Sequence, residues 1–459
     1  MKQHSDILEY RTPKSDIPHV LLIAPPVYDF ALYDLFVKPY GLLRIGRWLL
    51  ENGYEVHFVN GLDYTDPATA FALGNVKRKA DGTGKFFRVP VDKPAAIHAI
   101  ERRFSRYGIL PEVFRARIAE WEPDIVLVTS GMTYWYPGVI EAVDTVRHIY
   151  PKVPVLVGGI YASLLPEHCQ RVTGAETLPG EAEFSLPPVL QKYHLPVPMT
   201  PFPYEPLLIP SVFSEGGVLR LNTGCPFSCS YCASNRIHPG FVAGSPDAAF
   251  DLVAAMHTNL GTKNFALYDD AFLVDAEKIA IPFLSRIAEE LPGLSFYSPN
   301  ALHISYIDHE IAALLLHAGY REVRLGYESS SLSFHESYDG KMLPEGITGV
   351  IETLTNAGFE RNQIIAYILA GLPGQEAAEV EATIRTVSTF GIRISISEFS
   401  PVPGSPLWQT CVESSPYPLE EEPLCHNNSF FPLAWERFTR NDMARLKLLS
   451  QRMNDNLKT

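Results

Sequence analysis

The chain has 459 residues, 46% hydrophobic and 20% charged, proportions that are ordinary for a folded globular protein and exclude disorder, collagen and coiled coil. With 52 acidic and 38 basic residues, it carries a formal charge of −14, which argues against a protein built to coat nucleic acid. No run of about 18 apolar residues is present, so we expect no membrane span. The polar start lacks the apolar run of a signal peptide and predicts a cytoplasmic protein.

After a polar tail over residues 1–17, residues 18–190 alternate short apolar runs with amphipathic helical patterns. Four runs are short, rich in β-branched residues and apolar on both faces, as buried parallel strands are: His19–Ala24, Tyr54–Val59, Asp124–Thr129 and Val153–Val157. Helical patterns over Tyr40–Glu51 and Pro137–Ile149 lie between them. This alternation predicts a doubly wound parallel sheet.

Ligands of doubly wound sheets bind beyond the carboxyl ends of the strands. The sequence places Ser130 and Gly131 after one predicted strand, and Gly158 and Gly159 after the next. Small residues let the backbone approach a ligand closely, although they also serve plain tight turns. We treat these four as candidate ligand-binding residues.

A proline-rich segment over residues 191–214 predicts a semi-rigid linker, and strand–helix alternation resumes over residues 215–410. The strand candidates are Val218–Asn222, Phe265–Tyr268, Leu294–Tyr297, Val323–Gly326, Ile364–Ala370 and Arg393–Glu398. Helical patterns lie near residues 246–260, 276–291, 308–318, 346–357 and 376–390. Six such units in about 180 residues predict an open (β/α)6 barrel, since a full eightfold barrel takes about 250. Residues 411–459 form a C-terminal extension that is amphipathic over Pro432–Asn456.

Three of the six cysteines form a C-x3-C-x2-C run directly after the first strand of this barrel: Cys225, Cys229 and Cys232. Three thiolates on one loop can ligate three irons of a [4Fe–4S] cluster and leave the fourth iron open to another ligand. The alternatives are a zinc site or three unrelated buried cysteines, but zinc normally takes four ligands in two pairs, and no second pair exists. The remaining cysteines do not cluster and are expected to be inert buried side chains: Cys169, Cys411 and Cys425.

This cysteine run, with Tyr231 before its last cysteine and at the head of a six-unit barrel, resembles the radical S-adenosylmethionine (SAM) superfamily over residues 215–410. Further segments resemble its motifs in the correct order: Tyr268–Phe272, Tyr320–Ser330, Ile368–Gln375 and Phe399–Pro406. The resemblance implies that the open iron chelates SAM and that the reduced cluster cleaves it to a 5′-deoxyadenosyl radical. It also implies a small-molecule substrate and a low-potential electron donor such as flavodoxin or ferredoxin.

The same resemblance implies a SAM pocket lined by Asp269, Asp270, Ser298, Asn300, Glu328 and Gly371. One of the two aspartates would bind the methionine amino group, where the superfamily has a Gly-Gly-Glu-like motif. Glu328 would approach the ribose, and Gly371 would lie against the adenine. Each has an ordinary alternative: the aspartates could cap the following helix, Glu328 could pair with Arg324, and Gly371 could form only a turn.

In the N-terminal half, Tyr40–Val56, Asp124–Thr133 and Val155–His168 resemble the cobalamin-binding Rossmann-like domain that precedes many radical SAM barrels. The resemblance covers residues 18–190 and implies that the glycines admit the nucleotide tail of the corrin. The Asp-x-His-x-x-Gly motif that places histidine on cobalt is missing, so cobalamin would bind without a histidine ligand, or the domain keeps the fold alone. We expect structural roles for the histidines of this region: His19, His57 and His168.

Three functions stay open at this point. The chain is a cobalamin-dependent radical SAM enzyme that catalyses methyl transfer or rearrangement, a radical SAM enzyme whose N-terminal domain recognises substrate, or a non-catalytic iron–sulfur scaffold. The set of SAM-site motifs disfavours the scaffold. A nucleic-acid substrate is not expected, since a tRNA-methylthiolating relative would carry an N-terminal cysteine triad and the first 168 residues hold no cysteine.

Two further segments are ambiguous. The basic stretch Lys77–Lys85 lacks the glycine and hydroxyl residue of a phosphate loop, so we expect a solvated loop, with an anion site as the minority alternative. The segment around Cys425 either closes the bottom of the barrel or lines the substrate site.

Overall fold

The computed structural model describes residues 17–340 and 346–457. Its N-terminal domain is a parallel five-stranded sheet with the spatial order Glu55–Asn60, His19–Ala24, Ile125–Ser130, Val155–Gly159 and Glu176–Leu178. The apolar strand interiors are buried beneath flanking helices that include Tyr40–Glu51 and Tyr136–Ile149. The predicted doubly wound sheet is confirmed. Only its short fifth strand was missed, because Glu-Thr-Leu carries no apolar run.

This strand order places the topological switch point between His19–Ala24 and Ile125–Ser130. At such a point the helical connections leave on opposite faces of the sheet and open a crevice beyond the strand ends. A second, antiparallel sheet of three-residue strands follows on this side: Val27–Asp29, Ser105–Tyr107 and Arg88–Pro90. Strands this short carry too little periodicity to be predicted from sequence.

The second domain contains six parallel strands in two groups of three. The first group is Gly217–Leu219, Asn264–Leu267 and Ser295–Tyr297, and the second is Val323–Glu328, Ile364–Ala370 and Arg393–Glu398. Isolated parallel bridges, Phe296 to Tyr320 and Leu302 to Leu325, join the two groups. The predicted partial barrel is confirmed.

Five described helices cover the barrel strands, and three of them have clear capping signals at their amino ends. The five helices are Pro246–Leu260, Ala280–Glu290, His309–His317, Gly346–Ala357 and Ala377–Thr389. In the first of them, the Ser245 side chain accepts the Ala248 N–H, and the left-handed Gly261 ends the helix. These signals explain why the helical patterns were located to within a few residues.

Two connections hold the domains together. The linker lies along helix Tyr40–Glu51, where Trp48 Nε1 donates to the Thr200 carbonyl at 2.8 Å and Arg44 Nε to the Pro203 carbonyl at 2.9 Å. Phe36, just before that helix, is 1% exposed and belongs to the barrel core, with its ring centroid 5.2 Å from that of Tyr297. The domains therefore share a continuous apolar interior.

The basic stretch forms part of this junction. Arg78 pairs with Asp34 at 2.8 Å and with Glu215 at 3.2 Å, and the Ala80 carbonyl accepts from Asn264 Nδ2 at 2.9 Å. The expectation of a solvated loop was wrong for these residues, because the guanidinium joins acidic groups from both domains. The lysines at either end of the stretch are exposed.

The C-terminal helix Arg440–Asn456 packs against the last barrel strand. The Asn454 side chain accepts the Ile394 N–H and donates to the Ile394 carbonyl, both at 2.8 Å. It therefore provides hydrogen-bond partners for the backbone groups of Ile394 at the free edge of that strand. Within the described residues, no helix combines the length and apolar character needed to cross a membrane.

Candidate functional site

The cysteine loop (residues 225–232) follows the first barrel strand and is fixed from both sides. The Ser230 N–H and hydroxyl donate to the Tyr338 carbonyl at 2.7 and 3.0 Å, and the Leu407 N–H donates to the Ser230 carbonyl at 2.9 Å. None of the three cysteines is in a disulfide; Cys225 and Cys229 are partly buried and Cys232 is exposed. The barrel therefore presents three potential sulfur ligands on one anchored loop.

The spacing of these thiols argues against a single zinc ion. Thiolates on one tetrahedral zinc lie about 3.8 Å apart, given a Zn–S bond of about 2.3 Å. Across the described chain, the only three potential ligand atoms of His, Cys, Asp or Glu that all lie within 4.8 Å of one another belong to residues of the N-terminal sheet. A multi-iron cluster, whose thiolates bind different metal atoms, fits the wider cysteine arrangement.

Aromatic rings and a carboxylate surround the cysteine loop. Phe227 stacks on His303 with ring centroids 4.6 Å apart, and the Tyr231 hydroxyl lies 3.3 Å from Asp339 Oδ2. Burial raises the pKa of Cys225 to about 11, with a further contribution from Asp270. Metal binding at this thiol therefore releases a proton.

The structure separates the two candidate aspartates at the end of the second barrel strand. The buried Asp269 carboxylate accepts the Leu221 N–H at 3.0 Å and the Asn222 N–H at 2.6 Å, and burial raises its pKa to about 7. Its carboxylate therefore ties two barrel strands together. Asp270 is exposed to the opening near Cys225, and desolvation by surrounding atoms raises its pKa. Of the two aspartate side chains, only that of Asp270 is exposed.

The two candidates after the third strand differ in the same way. Ser298 is 4% exposed, and its hydroxyl lies 3.2 Å from the Tyr320 hydroxyl inside the barrel. Asn300 is exposed and donates to the Asp269 carbonyl at 3.0 Å, which places its amide beside the second strand end. Asn300 therefore borders the same opening as Asp270.

Glu328 ends the fourth strand in a left-handed conformation, with φ +62° and a register shift directly before it. Such strain in a residue other than glycine is concentrated at functional positions. Arg324, the partner considered for Glu328, pairs with Glu322 at 2.5 Å. Burial raises the pKa of Tyr231 in the cysteine loop, and the negative charge of Glu328 raises it further.

Gly371 follows the fifth strand with φ +101°, and a Cβ there would lie 2.6 Å from the Phe431 ring. Gln375 Oε1 accepts the Gly371 N–H at 2.7 Å and its Nε2 donates to the Leu369 carbonyl at 3.1 Å. The tight turn thus brings bare backbone to the rim of the barrel.

At the N-terminal sheet, three of the four candidates, Ser130, Gly158 and Gly159, contact one another. The Ser130 hydroxyl donates to the Gly158 carbonyl at 2.6 Å and accepts the Ala162 N–H at 3.2 Å, so it positions the backbone at this edge. Gly159 has φ +94°, and a Cβ there would lie 2.3 Å from the Ser130 carbonyl oxygen. Gly131 lies under Trp135, whose ring would be 2.8 Å from an added Cβ.

We expect Gly159→Ala to destabilise the protein by about 2 kcal/mol or more, because alanine is strained at this φ and its methyl group meets backbone. The matched control is Gly158→Ala, whose added methyl group would find its nearest atom at 3.6 Å. Urea unfolding of the two variants and the native chain measures the difference. Equal stability of the two variants would contradict the assignment.

This edge also exposes apolar surface suited to a large planar ligand. Met132 is 46% exposed and Ile160 39% exposed, and both flank the glycines at the strand ends. The nearby histidines are engaged: His168 with the Tyr161 hydroxyl at 2.6 Å, and His426 with both Thr133 and the Leu419 carbonyl at 2.8 Å. A structural role for His168 agrees with these contacts.

The sheet edge and the cysteine loop face each other across the domain junction. Helix Ile160–Leu164, after the glycine pair, contacts helix Ser234–Ile237, after the cysteine loop. Beside them Glu181 pairs with His238 Nδ1, and His238 Nε2 lies 3.0 Å from Arg220 Nη1. The pKa of Glu181 is lowered, first by this hydrogen bond. The sequence did not predict this set of three interacting side chains, because Glu181 is distant in sequence from Arg220 and His238.

A second junction, at the carboxyl-end rim of the barrel, comes from the C-terminal extension. Asp29 accepts from Trp135 Nε1 at 2.7 Å and from Asn427 Nδ2 at 2.8 Å. Cys425 lies in an apolar cluster that also contains Leu369, which is at the carboxyl end of strand Ile364–Ala370. The segment around Cys425 therefore lies at the carboxyl-end rim of the barrel and does not close its bottom.

The three remaining cysteines are buried, and burial raises the pKa of each thiol, to about 11 for Cys169 and about 12 for Cys411 and Cys425. Protonated, buried thiols are poor nucleophiles and poor ligands.

Comparison with known proteins finds two family models in this chain. The model of the radical SAM superfamily matches residues 219–387, and the model of the B12 binding domain matches residues 97–187. An uncharacterised methyltransferase of Pyrococcus horikoshii is 22% identical over 367 residues, which cover 71% of this chain and 74% of that protein.

Two solved structures share both domains. The radical SAM methyltransferase TsrM from Kitasatospora setae, with cobalamin and a [4Fe–4S] cluster bound, aligns with a TM-score of 0.66 and 16% identity over 94% of this chain and 91% of its own. The cobalamin-dependent radical enzyme OxsB, with aqua-cobalamin and SAM bound, gives a TM-score of 0.58 and 12% identity over 96% of this chain and 62% of its own. At these identities the likeness establishes the fold.

Proposed function

Because the chain is a radical SAM protein with a B12-binding domain ahead of its barrel, we propose that it is a cobalamin-dependent methyltransferase acting on a small organic molecule. The observation that carries the proposal is the junction at which helix Ile160–Leu164 of the sheet edge contacts helix Ser234–Ile237 of the cysteine loop. Two ligands held at these places lie close enough for a group to pass between them. The methyltransferase names of TsrM and of the Pyrococcus relative favour methyl transfer over rearrangement.

In the barrel, the Cys225, Cys229 and Cys232 thiolates hold the cluster, which supplies one-electron reduction and an open iron for the methionine end of SAM. The Asp270 carboxylate accepts from the methionine amino group at the opening beside Cys225. Glu328 and the backbone at Gly371 lie at neighbouring strand ends and border the ribose and adenine. The anchoring of Ser230 keeps the sulfur ligands fixed against these groups.

In the N-terminal domain, cobalamin supplies a cobalt that can carry a methyl group. Gly158 and Gly159 bring the backbone close to its nucleotide tail, while Met132 and Ile160 offer apolar surface to the corrin. The described histidines near this edge are held by protein partners, so the corrin binds without a histidine ligand from them.

The proposal has two consequences for the surroundings of the enzyme. The cluster would need an external low-potential donor, such as flavodoxin or ferredoxin. We also place the protein in the cytoplasm, where a reducing environment keeps the thiols free.

The test is anaerobic reconstitution of the full chain with iron, sulfide and hydroxocobalamin, followed by reduction and addition of methyl-labelled SAM. We expect one cluster and one cobalamin per chain, and SAM-derived products only in reduced samples. With candidate substrates, mass spectrometry should find the labelled methyl group on a product. SAM cleavage without any bound cobalamin would favour a radical enzyme whose N-terminal domain recognises substrate. A loaded cluster that never consumes SAM would overturn the enzyme assignment.

A further inference from the structure

Three potential metal ligands lie at the amino end of the N-terminal sheet, the end opposite the glycines. His19 and Glu55 begin neighbouring parallel strands and are paired in register, and His57 follows Glu55 by two residues. Because side chains alternate along a strand, residues paired in register or two apart share one face of the sheet. The topology therefore brings two imidazoles and one carboxylate together.

The side chains converge closely. Glu55 Oε1 lies 3.1 Å from His57 Nε2, and Glu55 Oε2 lies 3.3 Å from His19 Nε2. One ligand atom from each residue lies within 4.8 Å of the other two, the only such triple among the described His, Cys, Asp and Glu residues. This spacing suits a single metal ion with bonds of about 2.0–2.2 Å to nitrogen and oxygen.

His57 has the character of a metal ligand. Its side chain is 9% exposed, and its buried Nε2 has no partner with hydrogen-bond geometry. Trp121 stacks on the ring with centroids 3.6 Å apart and fixes its orientation.

We propose that His19, Glu55 and His57 bind one divalent transition-metal ion of the zinc type. Two imidazoles and one carboxylate form a donor set that zinc uses with water in its fourth position. At about 3.3 Å per residue, His19 and Glu55 lie about 16 Å, and His57 about 10 Å, from the carboxyl ends of their strands. The ion therefore stands apart from the reaction centre and clamps the edge strand Glu55–Asn60 to its neighbour.

Calorimetric titration of Zn²⁺ into the anaerobically reconstituted full chain tests this site, since the cluster then occupies the three thiolates of the cysteine loop. We expect one ion per chain and a loss of at least about tenfold in affinity for Glu55→Gln and for His57→Phe. The phenylalanine keeps an aromatic ring against Trp121 while removing the nitrogen ligands. His317→Ala removes an exposed histidine from a barrel helix and should leave Zn²⁺ binding unchanged.

A second readout comes from Trp121. Co²⁺ bound beside His57 should quench its fluorescence in the native chain and not in Glu55→Gln, whose half-exposed side chain can be changed without disturbing the core. Thermal unfolding without metal checks that this variant folds. Equal Zn²⁺ affinity of the native chain and Glu55→Gln would overturn the proposal, and so would equal quenching. Both measurements are independent of catalytic turnover.

Discussion

Replacement of Cys229 by alanine is expected to reduce both iron incorporation and SAM cleavage to background while the N-terminal sheet stays folded. Two remaining thiols on the cysteine loop supply too few ligands for a cluster that uses three. The other three cysteines of the chain are buried and have raised thiol pKa values, so they are poor substitutes as ligands. The same loss is expected for Cys225 and Cys232.

Iron and sulfide content, visible absorbance and SAM consumption after anaerobic reconstitution measure this effect, and cobalamin binding reports on the N-terminal domain. Cys425→Ala is the matched control, because it removes a fully buried thiol from the apolar cluster of Cys425 and Leu369 and keeps the three cysteines of the loop. The lost packing should cost about 1 kcal/mol of stability. Native iron content in Cys229→Ala would contradict the assignment of the loop cysteines as cluster ligands. Equal iron loss in Cys425→Ala would show that the effect is general instability.

The features that the sequence predicted are those written in short stretches of chain. Strand Ile364–Ala370 is one uninterrupted apolar run, and helix Pro246–Leu260 has a serine cap and a terminal glycine. The cysteine spacing lies within eight residues. Together they were enough to state both family resemblances, which the two family models confirm.

The features that sequence did not reveal depend on contacts between distant residues. Asp269 and Asp270 are adjacent in an acidic motif, and only the fold shows that the first is held by Leu221 and Asn222 while the second stays open. The Asn427 contact with Asp29 spans nearly the whole chain and has no local signature. The individual SAM- and cobalamin-binding residues therefore remain predictions, supported by their positions at the strand ends.

The two aspartates should behave differently when each is changed to asparagine. Asp270→Asn removes the charge that we propose faces the amino group of SAM, and a charge-assisted hydrogen bond of about 1.5–3 kcal/mol corresponds to roughly 10- to 150-fold weaker binding. Iron content and unfolding should stay at native values because the side chain is exposed. Equilibrium dialysis with SAM measures the change, and native SAM affinity in Asp270→Asn would refute its assigned role.

Asp269→Asn should instead lower the free energy of unfolding, because an amide NH2 would face one of the two backbone N–H groups whose hydrogen bonds the carboxylate now accepts, at a cost of about 1–3 kcal/mol.

The effect of Asp269 on stability depends on pH. Burial raises the pKa of Asp269 from 3.8 in the unfolded chain to about 7, so the native state holds this proton where the unfolded state has lost it. The stability that this proton contributes is complete below the unfolded pKa and is lost as pH rises through 7. From about pH 5.5 to about pH 8, the free energy of unfolding of the native chain should fall by about 2 kcal/mol relative to Asp269→Asn. Urea unfolding of both proteins at the two pH values gives this difference directly, and a difference that does not change with pH would contradict the buried proton.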